Sequence, residues 1–481
     1  MRKLRLCLCA LLFGMGFLGA QNRQLLYDFY EIPQSLLLNP GVKTPYKWQF
    51  GVPIISGIAF QAGTSGVSVN DLFLNDGLDF TDKVRDRLVN SLSERDEFGG
   101  SGQIEVLNVG FRNKNRPNDY YSFGIYGEGL IAQYWPKDLA VLAFEGNANN
   151  LGRRFDLSHI TTQGEVLNVF HFGINRKVNN SLTIGLRAKI YSSIFEYKSS
   201  NNEGFFETTA GENNTLRNTL VADVEFQTSG IREFLDILND DSISAREELP
   251  NLFLKRAFFG GNLGLGADIG FTYQLNKNMV ITGSLLDIGF INHTKDIESY
   301  SLRGSASNEG IEIVLPEALN DLNNNLWQNL IDDIETQIPF EANEDSFISL
   351  RPIKLNASIR YNFGNQKLKD DCYCGINAKN KRDGFDYKNA LGAHLFVINK
   401  LKGPQAEFTA FYQTRIGKAL AAKATYTANK FTFTNIGLGL NFQAGPVNFY
   451  ILGDNLTGYQ NIADSNYASL QFGFNIISWY K

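Results

Sequence analysis

The chain has 481 residues, with 45 Lys and Arg against 50 Asp and Glu, for a formal net charge of -5. Hydrophobic residues make up 43% and aromatics 13%, with 37 Phe and 20 Tyr, which is too much packing material for a disordered chain. The acidic balance excludes the basic footprint of a nucleic-acid binder, and 45 Gly beside only 3 Met and 4 His disfavour a helical bundle.

At the amino terminus, Met1 to Arg5 is positively charged, Leu6 to Leu18 is apolar, and Gly19-Ala20 supplies small residues ahead of Gln21. This order predicts a secretory signal peptide over residues 1–20, since the apolar stretch is shorter than the roughly 20 residues of a membrane-spanning helix. Cys7 and Cys9 fall inside it. Only Cys372 and Cys374 remain, so no disulfide framework is expected. Residues 21–46 then stand ahead of the first alternating segment, and 47–481 read as one large sheet domain.

From there the chain alternates apolar with small or polar residues in segments of about ten, the period-2 signature of strands. Trp48 and Phe50 open the series, and Tyr121, Phe123 and Ile125 oppose Ser122, Gly124, Tyr126 and Glu128. Ile184, Leu186 and Ile190 oppose Gly185, Arg187 and Lys189, and Ile269, Phe271 and Tyr273 oppose Asp268, Gly270 and Thr272. Leu355 to Tyr361, Ile436 to Phe442 and Leu470 to Ile476 continue the pattern, which ends at Trp479-Tyr480. Fourteen strands are predicted, near 47–62, 102–112, 119–134, 163–176, 181–197, 259–275, 279–292, 350–364, 388–399, 405–416, 418–428, 430–443, 446–454 and 466–479. Charges and glycines on the polar face, alternating short and long connections and terminal aromatics point to an all-β fold, a transmembrane antiparallel β-barrel in the outer membrane. Its apolar face meets outer-membrane lipid, and an even strand count puts both chain ends on the periplasmic side.

The long connections, 63–101, 135–162, 198–258 and 293–349, are the extracellular loops, partly helical at Phe80 to Leu92 and from Pro316 to Ile334. The last loop carries ten acids between Arg303 and Arg351 without a Lys or Arg. Its spacing matches no calcium loop, so a solvated acidic surface is favoured over a cation site. Inward charges are expected at Glu128, Arg187, Lys189, Asp268, Lys354, Arg360, Glu407, Arg415, Lys423 and Asp454, as structural ion pairs filling the lumen or as contacts for a polar solute. Cys372-Tyr373-Cys374 lies in a periplasmic connection and reads as a disulfide or a thiol pair rather than a metal site, because no His or further Cys stands nearby. His171 and His394 face inward on the strand pattern, yet no G-x-S-x-G, H-E-x-x-H or phosphate-loop motif accompanies them. A non-enzymatic protein without metal or cofactor is expected.

Ser35-Leu-Leu-Leu-Asn39-Pro40-Gly41, ahead of the first strand, resembles the start of outer-membrane barrels of Bacteroidota. Pro136-Lys-Asp-Leu139, Glu145-Gly146-Asn147, Gly264 to Gly270, Leu286-Asp287-Ile288-Gly289 and Asp454-Asn455-Leu456 fit one family of that group whose function is unknown. That family is similar in architecture to fourteen-stranded FadL-like barrels, which include fatty-acid transporters and PorV of type IX secretion. The resemblance implies that residues 21–46 form an amino-terminal periplasmic or plug segment that folds inward, but it carries over no ligand-binding residue. Two functions follow from the reading: a barrel whose extracellular loops bind a protein partner or serve secretion or surface assembly, or a FadL-like transporter of a hydrophobic or small polar solute.

Overall fold

The computed structural model describes residues 24–211, 215–240, 244–309, 340–365, 387–417, 419–461 and 463–479. The signal peptide, the helix expected from Pro316, Cys372, Cys374 and Tyr480 lie outside these residues.

The described strands close into a fourteen-stranded antiparallel transmembrane β-barrel. In chain order the wall is β1 (Tyr46–Gly51 and Ile58–Thr64), β2 (Glu97–Arg112), β3 (Asp119–Tyr134), β4 (Thr162–Lys177), β5 (Leu182–Ala210), β6 (Asn262–Gln274) and β7 (Met279–His293). It continues with β8 (Phe347–Leu350 and Lys354–Asn365), β9 (Tyr387–Lys400), β10 (Gly403–Ile416), β11 (Leu420–Ala428), β12 (Asn435–Ala444), β13 (Val447–Asp454) and β14 (Tyr467–Trp479). Each strand pairs with its sequence neighbour, and β14 returns to β1, where Phe50 faces Ile476 and Ile58 faces Phe472. Closure leaves no strand edge with unpaired backbone groups in hydrocarbon, where each would cost several kcal/mol.

The apolar face points outward. Ile184, Phe271 and Ile436 are 37%, 40% and 46% exposed, in a band with Leu186, Ile269, Leu355, Ile359, Leu395, Leu438 and Ile451. At one end of the barrel the described turns are short, and three of them are built by asparagine. The Oδ1 of Asn113, Asn179 and Asn276 each accepts two backbone N–H groups of the following turn residues. At the other end the chain forms the long loops.

Two strand expectations need correction. The first strand is not continuous over 47–62: Pro53 has no N–H to give a ladder and Ile54 takes φ 71°, so the strand breaks between Gly51 and Ile58 and resumes with the same face inward. The fifth does not stop at 197 but runs to Ala210, well beyond the lipid-facing band. There it pairs with an outer strand, Leu216–Ser229, which in turn pairs with Ser299–Glu309, and that strand with Phe340–Asn343. The loop 198–258 is thus largely sheet and helix, with helices at Arg232–Asn239 and Ala245–Lys255. Phe80–Lys83 is an α-turn that continues as a π-helical run over Val84–Ser91, and Lys137–Glu145 adds a helix that the sequence reading treated as loop.

Candidate functional site: the barrel interior

Residues 24–45 do not belong to the wall. They run inside it as turns around one short helix, Ser35–Leu38, with Leu26, Phe29, Ile32 and Gln34 wholly buried. Asn39-Pro40-Gly41 sits where Gly185 of β5 and Gly270 of β6 face each other across the ladder. A Cβ on Gly185 would lie 1.9 Å from the Pro40 carbonyl oxygen, and one on Gly270 would lie 2.2 Å from Asn39 Oδ1. Only a glycine pair lets the segment approach the sheet this closely. Asn175 Nδ2 then donates to the carbonyls of Pro40 at 2.7 Å and Val42 at 2.8 Å.

All ten charges named from the strand pattern face the interior, and they separate into two sets. One set closes on the wall. Arg187 Nη1 is 2.9 Å from Asp268 Oδ2, and Lys189 Nζ is 2.9 Å from the same oxygen and 2.6 Å from Asp287 Oδ1. Lys354 Nζ is 2.8 Å from Asp287 Oδ2 and 3.4 Å from Glu128, and Arg351 joins Glu128 at 3.1 Å to Glu165. Four cations and four carboxylates thus alternate from β3 to β8, all buried, so charge cancels along the ladder. Asp454 also stays on the wall, accepting from Ser469 Oγ at 2.9 Å.

The second set holds the inner segment. Arg415 Nε reaches Glu31 Oε1 at 2.5 Å, and Gln413 donates to the same carboxylate at 2.9 Å. Lys423 Nζ donates to the Tyr27 carbonyl at 2.5 Å, and Arg360 Nη1 to that of Asp28 at 2.6 Å, while the Arg360 guanidinium also lies over the Tyr30 ring. Glu407 accepts from Gln24 Nε2 at 2.7 Å. On this side the contact is also apolar: Leu25, Leu26, Phe29 and Ile32 pack against Ala421 of β11 and Tyr450 and Leu452 of β13. Arg187 spans both sets, since it also donates to the carbonyls of Leu36 and Leu37. Two of the cavities beside the segment are small. A cavity beside Glu128, Lys189 and Asp287 measures about 30 Å³, and one beside Leu25 and Asp454 about 20 Å³, each close to water size.

Sequence reasoning missed Asp287, Arg351, Glu165 and Glu31. Strict alternation sends Asp287 outward, but β7 bulges between Leu285 and Ile288, Asp287 takes φ 60°, and its side chain turns in. The signal available was the run Leu285-Leu286-Asp287-Ile288, which breaks the period. Arg351 lies in the gap that Pro352 opens in β8, and Glu31 sits in a segment read without strand periodicity.

The two histidines weighed for catalysis are packed in the lumen. His394 stacks on Tyr27 at 4.1 Å and shares a hydrogen bond of 3.1 Å with Asn356, and His171 lies tilted on Tyr126 at 5.8 Å. A Ser–His–carboxylate trio does occur elsewhere. His293 Nδ1 is 2.6 Å from Ser229 Oγ and its Nε2 is 3.0 Å from Glu196 Oε2. All three are enclosed, and the imidazole lies flat on Phe347 at 4.5 Å, so the trio ties β5 and β7 to the outer strand and presents no open nucleophile.

Among curated proteins none matches this chain. Solved structures similar to it include a mutant of the TodX monoaromatic hydrocarbon channel, 8% identical with a TM-score of 0.42 over 97% of this chain and 98% of that one. The Ralstonia pickettii toluene transporter TbuX is 9% identical with a TM-score of 0.37 over 93% and 94%, and a Pseudomonas aeruginosa FadL homologue is 8% identical with a TM-score of 0.35 over 90% of each chain. At these values the likeness adds nothing to what strand pairing establishes. Residues 40–454 match the family of unknown function DUF5723, and the chain belongs to that family.

Proposed function

We propose that the protein is an outer-membrane barrel that passes a small solute when the inner segment 24–45 shifts, the segment serving as its hatch. The observation that carries this reading is the division of the interior bonds: the wall closes on itself, and the segment is held by side chains without being part of the sheet. With the segment displaced, the bore would present the charge ladder on one side and Ala421, Tyr450 and Leu452 on the other, a lining suited to a small solute with polar and apolar faces. Complete ejection would expose Leu25, Leu26, Phe29 and Ile32 at about 1.5–3 kcal/mol each, so opening needs the solute or a partner to offset that cost. An even number of strands brings both ends of the wall to one rim, and in this reading that rim, with the hatch, faces the periplasm. Planar-bilayer conductance and solute uptake test the reading. The full chain is expected to be closed and a 24–45 deletion to conduct, and silence of both forms in both assays would end it.

A second reading is a barrel whose long extracellular loops bind a protein partner in secretion or surface assembly. It is favoured by the outer sheet built on β5 and by the exposed Val69, Phe73, Leu74, Leu78 and Phe80 of the first long loop, more than a narrow pore requires. Purification from native membranes in mild detergent is expected to bring a stoichiometric partner with the barrel, and recovery of the barrel alone counts against this reading.

A further inference from the structure

The last part of the loop 198–258 does not stand clear of the barrel. An outer segment, made of the helix Ala245–Lys255 and the π-helical turn Arg256–Gly260, lies against the outside of β4 and β5. Alternation carries Phe170 and Phe172 of β4, and Leu186 and Ile190 of β5, to the lipid side, and two residues further it brings Asn168 and Ser192 to that same side. Leu182 to Ser192 is about ten residues, the length of tilted strand that crosses the hydrocarbon layer, so these two polar side chains stand at its far edge. The outer segment covers both. Asn168 Nδ2 donates to the Ala257 carbonyl at 3.1 Å, while Ser192 Oγ donates to the Arg256 carbonyl at 2.6 Å and accepts from the Phe259 N–H at 3.0 Å.

Two further contacts fix it there. Phe259 takes φ 68°, which a bulky residue adopts only where its surroundings hold it, and its ring stacks on Phe170 at 4.3 Å, with Phe258 edge-on to the same ring at 5.9 Å. Arg256 Nη1 donates to the Ile194 carbonyl at 3.1 Å, and its Nη2 is 2.6 Å from Asp296 Oδ2. So held, the outer segment turns apolar side chains away from the protein. Phe253, Leu254, Phe258 and Phe259 are between 42% and 56% exposed, and the chain runs on from them into β6, whose Leu263 and Leu265 are exposed on the lipid side. In the first half of the helix the exposed residues Arg246, Glu247, Glu248 and Asn251 are polar.

We infer that residues 253–260 are seated in the bilayer, with their apolar side chains at the boundary between headgroups and acyl chains in the leaflet at the long-loop end. Continuity with the lipid-facing band commits this surface to lipid. Phe258 and Phe259 rest on Phe170, itself on the lipid side, so a soluble partner would have to reach below the headgroups to meet them. Amphipathic helices bury an apolar face about 5–10 Å into that boundary. The outer segment thereby keeps Asn168 and Ser192 from hydrocarbon, where polar groups without partners are costly. The inference is independent of whether the barrel conducts.

The test uses the full chain in phosphatidylcholine vesicles carrying a diazirine lipid, with the photoreactive group near the headgroup in one preparation and at the acyl end in another. Adducts are mapped by mass spectrometry. Residues 253–260 are expected to take the headgroup-level probe about fivefold or more above the outer strand Leu216–Ser229, while Ile269 in the band takes the acyl-end probe. A Leu254→Asn/Phe258→Asn chain changes only exposed side chains outside the wall. It is expected to lose the headgroup-level labelling of 253–260 about fivefold, with Ile269 labelled as before. Labelling of 253–260 no higher than that of Leu216–Ser229 overturns the inference and leaves the surface to a protein partner, since the vesicles hold no other protein. Equal labelling in the two chains overturns it as well.

Discussion

The two sides of the lumen bind the same segment by different means. From β3 to β8 most of the buried charges satisfy one another across the wall, and apart from Arg187 and Arg360 the wall there meets the segment through glycine contacts and uncharged side chains. From β10 to β13 the wall has few internal charge pairs; its cations reach the carbonyls and the Glu31 carboxylate of the segment, whose apolar side chains pack there. The contrast separates two tasks that a shared interior would otherwise confuse. One side holds the cylinder's shape and the other holds its contents.

The largest expected effect comes from breaking the wall side. Asp287→Ala leaves Lys189 and Lys354 short of a carboxylate inside the barrel, and removal of one partner from a buried ion network costs about 3–5 kcal/mol. The midpoint of urea unfolding should fall accordingly, while a neutral-for-neutral change such as Leu186→Ile on the lipid face leaves it in place. On the segment side, Phe29→Ala removes a ring with no exposure at a cost of about 3–5 kcal/mol, read as faster hydrogen exchange over residues 24–45 with the wall unchanged. Gly270→Val is next. Its Cβ collides with Asn39, so the Asn39 to Gly41 seat opens for about 1–3 kcal/mol of strain, visible as protease cleavage there.

The smallest effect lies outside both regions. In the first long loop, the Ser68 backbone N–H and hydroxyl both donate to Asp71, which holds that carboxyl below the usual carboxylate range. A group whose folded pKa is depressed contributes stability above its unfolded pKa, near 3.8, and loses it as pH falls through the lower folded value. Protection of the Val69–Phe73 amides, corrected for the intrinsic pH dependence of exchange, should therefore be steady at neutral pH and fall only in acid below that range.

The wall was legible in the sequence because each strand has lipid on one side, and Leu, Ile and Phe recur there with period 2 while Arg187, Asp268 and Arg360 take the alternate positions. What alternation does not encode is where it is interrupted. Pro53 and Pro352 break two strands, and the bulge at Asp287 turns a charge inward that the period would send to lipid. The segment side was harder still, since Glu31, Tyr27 and Phe29 meet their partners across more than 380 residues of chain in the case of Arg415 and Lys423. Asn39-Pro40-Gly41 stood out only through a resemblance, and its glycine partners became meaningful once β5 and β6 were side by side.

The most direct measurement of the division between wall and contents is the folding of a chain lacking residues 24–45, followed by heat-modifiable gel migration and urea unfolding in detergent. A self-sufficient wall gives an unheated band that runs as a compact barrel, with an unfolding midpoint that Asp287→Ala still lowers. A deletion that yields only the fully unfolded form, or one insensitive to Asp287→Ala, would show that the segment is part of what holds the cylinder together.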